Sequence, residues 1–254
     1  MKVLSLNTWG GRAGKEKLLA FLHAHRDVDV FCLQEIWSAP HTHLEGAVAA
    51  GWKIDHSQIM THGLQDIRDL LNSHSAFFHP CFGDNYGQLL LIRKDIPVSL
   101  VGERFIYQEK GYVSDTELAD HARLMQYAII ELQGKKLGVL NIHGLWNGQG
   151  KGDSEHRIEQ SKNILNQIDE LEADTILCGD LNLRPDTKSI GLLEHAGLRN
   201  LVVEYGVTST RTSHYTKDEP YADYIFTSQG LSVIDFRVLP DEVSDHKALL
   251  VEIE

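Results

Sequence analysis

The 254-residue sequence has few cysteines and no long apolar run, and both absences exclude classes of protein. Its three cysteines, Cys32, Cys81 and Cys178, are an odd number at wide spacing, which is not the pattern of a disulfide framework. Cys32 and Cys178 lie inside apolar segments, where we predict buried thiols rather than nucleophiles.

No segment approaches the roughly 20 apolar residues of a transmembrane helix. Because residues 3–7 already have the pattern of a core strand, we also expect no signal peptide. We therefore expect a cytoplasmic protein without membrane insertion.

Basic residues are also scarce relative to acidic ones. The chain has 24 lysines and arginines against 36 aspartates and glutamates, which gives a formal net charge of -12. This balance argues against non-specific coating of nucleic acid, which depends on many lysine and arginine contacts to phosphates. It does not exclude a nuclease, because bound cations neutralise a cluster of acidic metal ligands. With 42% hydrophobic residues and no linker or repeat, we expect a single domain spanning residues 1–254, and a monomer.

Short apolar segments and amphipathic helices alternate along the whole chain. The clearest helix is Glu155–Leu171, which has an apolar stripe and a natural N-cap at Ser154. Segments 124–132 and 136–142 have the pattern of a β-hairpin with Gly134 in its turn. Further strands are predicted at 3–7, 28–34, 76–79, 88–92, 98–107, 175–178, 224–227, 231–238 and 247–253, and further helices at 15–25, 62–71 and 188–195. About ten strands with helices between them predict an α/β fold in which two mixed β-sheets pack face to face with helices outside.

Polar residues follow the first two predicted strands. Asn7 ends the segment "VLSLN", and Glu35 follows the apolar segment "VFCLQ". If these strands are neighbours, a carbonyl oxygen and a carboxylate come together, and hard divalent cations prefer both of these ligands. A polar residue at a strand end is more often the start of a solvated loop, so neither residue alone identifies a site.

The segment "ILCGDLNLRP" is more specific than either of these residues. Gly179 permits a sharp turn after an apolar strand, and Asp180 and Asn182 face the same side if the strand continues. A carboxylate can orient and deprotonate a water molecule, while a neighbouring amide can donate to a developing oxyanion. The alternative is a plain turn in which both side chains bond to their own backbone.

A third polar motif, "SDHK", stands directly before the last predicted strand. Because adjacent strand residues point opposite ways, Asp245 and His246 are expected to have different roles, Asp245 near a metal and His246 at a phosphoryl group. A partly buried aspartate needs a partner, so we assign Asp223 in "YADYIF" to orient His246. The alternative is a salt bridge at a sheet edge.

Candidate substrate-binding residues lie near the middle of the chain and in one late loop. His143 ends a strand and precedes a glycine-rich loop in which Trp146 could close on a substrate. The segment 206–224 contains Arg211 and Tyr215, a basic and aromatic combination that suits phosphates with stacked bases and equally an inositol or nucleotide phosphate. Arg123 is a further candidate for phosphate contact. The alternatives are a structural histidine and a solvated loop.

Taken together, these motifs resemble those of the endonuclease/exonuclease/phosphatase superfamily. "QE", "GDLN" and "SDH" in this order and at these spacings are jointly specific, and the resemblance covers nearly the whole chain. It implies the four-layer α/β sandwich of deoxyribonuclease I and a divalent metal, usually Mg²⁺, for which Mn²⁺ is a possible substitute. It further implies that Glu35 is the main metal ligand, with Asn7 and Asp245 near the ion.

The resemblance also implies a role for each remaining motif residue. Asp180 would position or activate water, and Asn182 and His143 would contact the scissile phosphate. His246, held by Asp223, would stabilise the pentacovalent state or transfer a proton. The sequence departs from deoxyribonuclease I before residues 88–92, where that enzyme has a glutamate supporting the first catalytic histidine and this chain has Asn85 and Tyr86.

Three functional hypotheses remain open at this point. The leading one is metal-dependent hydrolysis of a phosphodiester, with nucleic acid as the substrate. The second is a phosphatase or phosphodiesterase that acts on inositol, lipid headgroups or another small phosphate ester. The third is a catalytically silent binding module, which would be favoured if a central acid were replaced, but all of these acids are present.

Overall fold

The computed structural model describes residues 1–254 and contains fourteen strands, five α-helices and three short 3₁₀ helices. The strands are β1 (Lys2–Asn7), β2 (Val30–Trp37), β3 (Val48–Ala49), β4 (Trp52–Lys53), β5 (His74–Phe82), β6 (Tyr86–Arg93), β7 (Val98–Tyr107), β8 (Arg123–Leu132), β9 (Lys135–His143), β10 (Asp174–Asp180), β11 (Leu198–Asn200), β12 (Asp223–Ser228), β13 (Val233–Val238) and β14 (Leu249–Ile253). The α-helices are α1 (Lys15–Ala24), α2 (Gly63–Leu70), α3 (Glu155–Leu171), α4 (Lys188–His195) and α5 (Leu201–Glu204), and the 3₁₀ helices are Trp9–Gly11, Thr42–Leu44 and His56–Gln58.

Twelve strands form two mixed six-stranded sheets. The first has the order β13-β14-β1-β2-β6-β5 and the second the order β11-β12-β10-β9-β8-β7, while β3 and β4 form a separate small hairpin. Each sheet has one parallel pair at its centre, β1 with β2 and β9 with β10, and its other pairs are antiparallel. The carboxyl ends of the parallel strands therefore meet at one edge of each sheet.

The two sheets pack face to face, and helices cover their outer faces. Alternation along β1 shows this arrangement: Val3 belongs to the core shared with the second sheet, whereas Leu4 and Leu6 pack with α1 and α2. On the opposite side of the molecule, Ile164 of α3 and Ile190 of α4 pack against the second sheet. The structure therefore confirms the predicted four-layer α/β sandwich.

Several predicted element bounds were wrong. β2 continues to Trp37, past the predicted end at residue 34, because its pairing with β6 resumes after a register shift between Leu33 and Ile36. β14 begins at Leu249 rather than at residue 247. β3, β4, β11 and α5 were not predicted, since elements of two to four residues are too short to show a period.

Two local predictions are confirmed. Gln133 and Gly134 form the two-residue turn between β8 and β9, and both have positive φ, as tight hairpins favour. The Ser154 side chain accepts a hydrogen bond from the Arg157 N–H and so caps α3. All three cysteines are free and buried. None of the helices has the length and apolar character needed to cross a membrane.

Candidate active site

Three neighbouring strands of the second sheet place functional side chains in one row. In the pairing register, Asp180 of β10 lies opposite His143 of β9 and Asp223 of β12. Gly179 makes this close approach possible, because it has a φ of +137° and an added Cβ would collide with the Ile142 carbonyl. The sheet register therefore brings together residues that lie 80 positions apart in sequence, from His143 to Asp223.

The first sheet contributes Asn7 and Glu35. Asn7 ends β1 as predicted, but Glu35 lies inside β2 at the bulge, not after the strand. Glu35 has a φ of +61°, which is costly for a residue with a side chain. Bulges re-aim side chains beside functional sites, and this one turns Glu35 into the cleft between the two sheets.

Asn7 connects the two sheets through its side chain. Its amide Nδ2 donates to Glu35 Oε1 and to Asp180 Oδ2, both at 3.1 Å. Its carbonyl Oδ1 accepts from the Trp9 N–H at 3.0 Å, and its backbone carbonyl accepts from the Ser244 hydroxyl at 2.7 Å. Asn7 is fully buried, so it orients the two carboxylates from beneath the cleft.

Asp180 and Asn182 come together by a turn rather than by strand alternation. β10 ends at Asp180, and the Asn182 N–H donates to Asp180 Oδ1 at 2.8 Å. This backbone contact is the one expected of a plain turn, yet both side chains also line the cleft. Burial raises the pKa of Asp180, but the nearby His246, His143 and Lys151 outweigh it, so this pKa is well below its usual range.

His246 and Asp223 form a buried hydrogen-bonded pair. The His246 Nδ1–H donates to both Asp223 carboxylate oxygens at 2.8 Å, as the assignment of Asp223 required. His246 Nε2 lies 3.6 Å from Asp180 Oδ2 and 3.6 Å from Asp245 Oδ1. Burial and Arg211 lower the pKa of His246, but the carboxylates of Asp223, Asp245 and Asp180 raise it above its ordinary value.

The prediction that Asp245 and His246 point in opposite directions was wrong. Both side chains line the same cleft, and they lie outside β14, which begins only at Leu249. Asp245 Oδ2 accepts from Arg211 Nη1 at 3.2 Å. An antiparallel bridge between Arg211 and His246 joins their two segments.

His143 has a cationic partner instead of an acidic one. Arg123 Nη1 donates to His143 Nε2 at 3.2 Å, while the nearest carboxylate oxygens, from Glu35 and Asp180, are 3.8 and 3.9 Å away. Burial and the Arg123 charge lower the pKa of His143 to about 3. His143 is therefore a neutral imidazole at physiological pH, and its Nε2 is a hydrogen-bond acceptor.

Basic and aromatic side chains form one wall of the cleft. The Arg211 guanidinium lies 4.0 Å from the centre of the Tyr215 ring, and Lys151 Nζ lies 5.5 Å from it. Lys151 is 1% exposed and donates to the Tyr221 carbonyl at 2.8 Å. Lys217 Nζ lies 4.9 Å from the centre of the Trp146 ring.

The cleft is lined by most of the predicted site residues. Those lining it are Glu35, Arg123, His143, Trp146, Asp180, Asn182, Arg211, Tyr215, Asp245 and His246. Asn7 and Asp223 do not line it, and they support the lining residues by hydrogen bonds.

Sequence reasoning missed several residues that line the cleft: Trp9, Arg12, Trp37, Trp52, Ile54 and Phe82. Trp9 and Arg12 follow Asn7 closely in the chain, which was a usable signal, but nothing in the sequence marked the others.

The acidic residues of the cleft could hold a metal ion. Ligand atoms of Asp180, Asp223 and His246 lie within 4.8 Å of one another, although His246 Nδ1 is already committed to Asp223. Glu35 has no nearer donors than the Asn7 amide at 3.1 Å and Arg12 at 3.8 Å, so its carboxylate retains free lone pairs. The carboxylate oxygens of Glu35, Asp180 and Asp245 are of the hard type that a small divalent cation prefers.

Comparisons with known proteins agree with this fold. The model of the Endonuclease/Exonuclease/phosphatase family matches residues 4–246. A mannosyl-6-phosphatase from Bacteroides thetaiotaomicron has the same fold at a TM-score of 0.73 and 19% identity, with 100% of this chain and 99% of that chain covered. No curated protein sequence matches the chain.

Two further solved structures share the fold. TDP2 from D. rerio, complexed with a single-strand DNA product, has a TM-score of 0.68 and 18% identity, and the alignment covers 100% of this chain and 98% of that one. The human Nocturnin catalytic domain with a bound sulfate anion has a TM-score of 0.65 and 15% identity, with coverage of 100% and 93%. At these identities the likeness shows the fold alone. Because the family model extends over almost the whole sequence, the chain belongs to the endonuclease/exonuclease/phosphatase family of phosphoesterases.

Proposed function

We propose that this protein hydrolyses a phosphodiester bond by metal-assisted, in-line attack of water, with nucleic acid as the leading substrate. One observation carries the proposal: the Asn7 amide binds Glu35 and Asp180 at 3.1 Å each, and the His246–Asp223 pair stands beside the same Asp180. A candidate metal ligand and a candidate proton acceptor are thus held at one point between two sheets.

Glu35 and Asp245 are the residues that would hold the metal, with Asn7 orienting Glu35. Mg²⁺ or Mn²⁺ bound there would neutralise charge on the phosphate oxygens and on the leaving oxygen. Both carboxylates line the cleft, and their hard oxygen atoms suit either ion. The buried Asn7 keeps the Glu35 carboxylate in place before any ligand arrives, which limits the reorganisation needed for binding.

The remaining side chains act on the water and the phosphate. Asp180 is ionised, so its carboxylate aligns a water molecule for attack on phosphorus and accepts its proton. The water oxygen forms a bond to phosphorus while the ester P–O bond breaks. The water proton moves to Asp180, and the leaving oxygen takes up a proton from solvent. Asn182 donates to a phosphate oxygen, and His246, oriented by Asp223, donates from Nε2 to the developing negative charge.

His143 acts together with Arg123. Because Arg123 donates to His143 Nε2 and the imidazole is neutral, His143 positions the guanidinium rather than supplying a proton. The guanidinium has further N–H groups, and its buried Nε has no hydrogen-bond partner. Arg123 is therefore the phosphate-binding member of this pair.

Nucleic acid is the leading substrate because the cleft combines cations with aromatic rings. Trp52 is 52% exposed, and Lys217 Nζ lies 6.0 Å from the centre of its ring and 4.9 Å from that of Trp146. Aromatic faces stack bases, and neighbouring cations bind the phosphates between them. Five lysines and arginines line the cleft, while the protein as a whole has a net charge of -12, which favours a strand end over a long duplex.

A small phosphate monoester is the second candidate, and a specific observation favours it. Arg123, Lys151 and Lys217 line the cleft without a carboxylate salt-bridge partner, unlike Arg12 and Arg211. Two of these three cations, Arg123 and Lys151, are each only 1% exposed. A buried cation is costly without a counter-ion, and the dianion of a monoester supplies more compensating charge than a diester does.

Hydrolysis of bis-p-nitrophenyl phosphate and p-nitrophenyl phosphate, measured with Mg²⁺, Mn²⁺ or EDTA, tests both candidates. We expect metal-dependent cleavage of the diester that is lost in Glu35→Gln and retained in Glu16→Gln, a control in the first turn of α1. Cleavage of the monoester alone would instead support the second candidate, a phosphatase acting on a small monoester. Absence of turnover on both esters and on single-stranded oligonucleotides, with or without metal, would leave only a silent binding module.

A further inference from the structure

The cleft has a second half that the chemistry described above does not use. We call it the aromatic half and define it by five lining residues: Trp37, Ile54, Phe82, Tyr86 and His121. Trp37, Ile54, Phe82 and His121 are between 2 and 8% exposed, so these walls are built into the core and not displayed on the surface. The ionic half is defined by Glu35, Asp180, Arg211, Asp245 and His246.

The rings of the aromatic half pack against one another and form a rigid wall. Trp37 and Tyr86 have ring centres 5.1 Å apart, and His121 lies 4.9 Å from Phe82 and 5.9 Å from Tyr86. The β3–β4 hairpin also lines the cleft, and its Gly51 and Ala50 N–H groups donate to backbone carbonyls of the loop before β8. Aromatic side chains lose little entropy on binding and present flat faces, so such a wall suits a flat ligand.

The aromatic half also contains one hydrogen-bond acceptor, on His121, and one unpaired donor, on Trp37. His121 Nδ1 lies 2.9 Å from the Ala122 carbonyl, and since a carbonyl only accepts, Nδ1 carries the hydrogen and Nε2 is an acceptor. Burial and the neighbouring Arg123 lower the pKa of His121 well below its ordinary value, which keeps the ring neutral. The Trp37 indole N–H is buried without an acceptor.

The aromatic half is continuous with the ionic half. Arg123, two residues after His121, contacts His143 at the junction. Burial and then the nearby Glu35 carboxylate raise the pKa of the Tyr86 hydroxyl well above its usual range, so the two side chains are close enough to interact. The Arg123 charge acts on both Tyr86 and His121, so a phosphate bound to Arg123 would lie beside the aromatic half.

We propose that the aromatic half binds the organic group esterified to the phosphate, and that this group contains a compact flat ring, as in a nucleoside or an aryl alcohol. The inference rests on the proposed phosphoester hydrolysis and adds the part of the substrate beyond the phosphate. A ring buries apolar surface against Trp37, Ile54 and Phe82. A flexible polyol would lose its hydration there without enough partners.

Binding of two phosphonates to the Mg²⁺-loaded protein tests this inference without depending on turnover. Benzylphosphonate carries a flat ring, methylphosphonate carries none, and neither has an ester bond to cleave. We expect benzylphosphonate to bind about tenfold more tightly or better, because it buries the ring's apolar surface. Isothermal titration calorimetry gives both dissociation constants and, through a negative heat-capacity change for benzylphosphonate, the burial itself.

Two variants in one strand locate the effect. Ala49 lines the cleft, and Ala49→Phe fills the aromatic half, so the affinity ratio of the two phosphonates should fall towards one. Val48→Phe is the matched control, because Val48 precedes Ala49 in β3, is 42% exposed and does not line the cleft. This control should keep the wild-type ratio.

Each outcome separates the inference from the proposed function. Equal affinities in the wild type, with metal-dependent turnover intact, would overturn the inference and leave the hydrolysis standing. An unchanged ratio in Ala49→Phe would also overturn it, by placing the ring elsewhere. If neither phosphonate binds and no phosphoester is cleaved, both proposals fail.

Discussion

The two halves of the cleft are built from different parts of the fold. The ionic half is formed where strand ends of both sheets meet, and hydrogen bonds such as those of Asn7 and the His246–Asp223 pair fix its side chains. The aromatic half takes its residues from separate strands and loops, and ring packing holds them. Reacting groups need positions defined by rigid backbone register, whereas a ring needs only a wall of suitable shape.

This difference predicts that the two halves respond differently to substitution. Changes in the ionic half should reduce turnover and leave the preference among organic groups intact. Changes in the aromatic half should alter that preference and leave the dependence on metal intact. The following variants test the first statement, from the largest expected effect to the smallest.

Asp180→Asn should lower kcat for the better p-nitrophenyl ester by about 10²–10⁴-fold, because the side chain can no longer accept a proton from water. The amide oxygen still accepts from the Asn182 N–H, but the new NH2 group then faces the Asn7 Nδ2 donor, so the melting temperature should fall slightly while the fold is retained. Steady-state kinetics and thermal denaturation measure the two effects. Asp174→Asn, at the exposed far end of β10, is the matched control. Full turnover by Asp180→Asn would show that Asp180 does not accept the proton from water.

Asp223→Asn should lower kcat by about 10–100-fold, since a residue that orients a catalytic group contributes less than the group itself. Asp223 does not line the cleft, and it acts by accepting from His246 Nδ1. Substrate affinity should change little, so kcat falls while KM is nearly constant. A change confined to KM would instead assign Asp223 to substrate binding. Asp235→Asn, on the exposed edge strand β13, serves as the control.

Lys151→Met should raise KM about tenfold with a smaller effect on kcat, because one charge-assisted hydrogen bond to phosphate is lost. Burial, and then Arg211, lower the pKa of Lys151 to about 8. The wild type should therefore bind phosphate esters more weakly as the pH rises through about 8, and the variant should lack this inflection. A KM profile between pH 6.5 and 9.5 measures it, and identical profiles would contradict the assignment.

The same lysine makes a prediction about stability. The folded-state pKa, about 8, lies below the ordinary value of 10.5, so the unfolded chain binds the proton more tightly between these two values. The cost of burying the charged lysine is therefore fully present below pH 8 and is relieved as the pH rises to 10.5. Lys151→Met should be more stable than the wild type at pH 7, and the difference should shrink at higher pH, as measured by denaturant unfolding.

Most residues of the ionic half could be predicted from the sequence, because they belong to short motifs near strand ends. Asn7 and Asp180 each end a strand and His246 shortly precedes one, and strand periodicity is a local property of the chain. The fold class followed from the same periodicity. The roles of these residues were implied by family resemblance, and they remain predictions for the variants above to test.

The failures have a common physical cause. Glu35 could not be placed inside β2, because a bulge depends on pairing with β6, which begins 51 residues later in the sequence. The convergence of Asp245 and His246 depends on the bridge to Arg211. The Arg123–His143 pair and the whole aromatic half depend on contacts between separate strands and loops, which no local pattern records.

The sequence by itself determined the layers of this protein and the motifs that end its strands, because backbone geometry sets the spacing of apolar and polar residues over a few positions. Only the tertiary structure decided that Arg123 pairs with His143, that Glu35 turns into the cleft, and which rings form the second half of the cleft. Those outcomes depend on strand register and on the packing of two sheets, where residues more than a hundred positions apart meet.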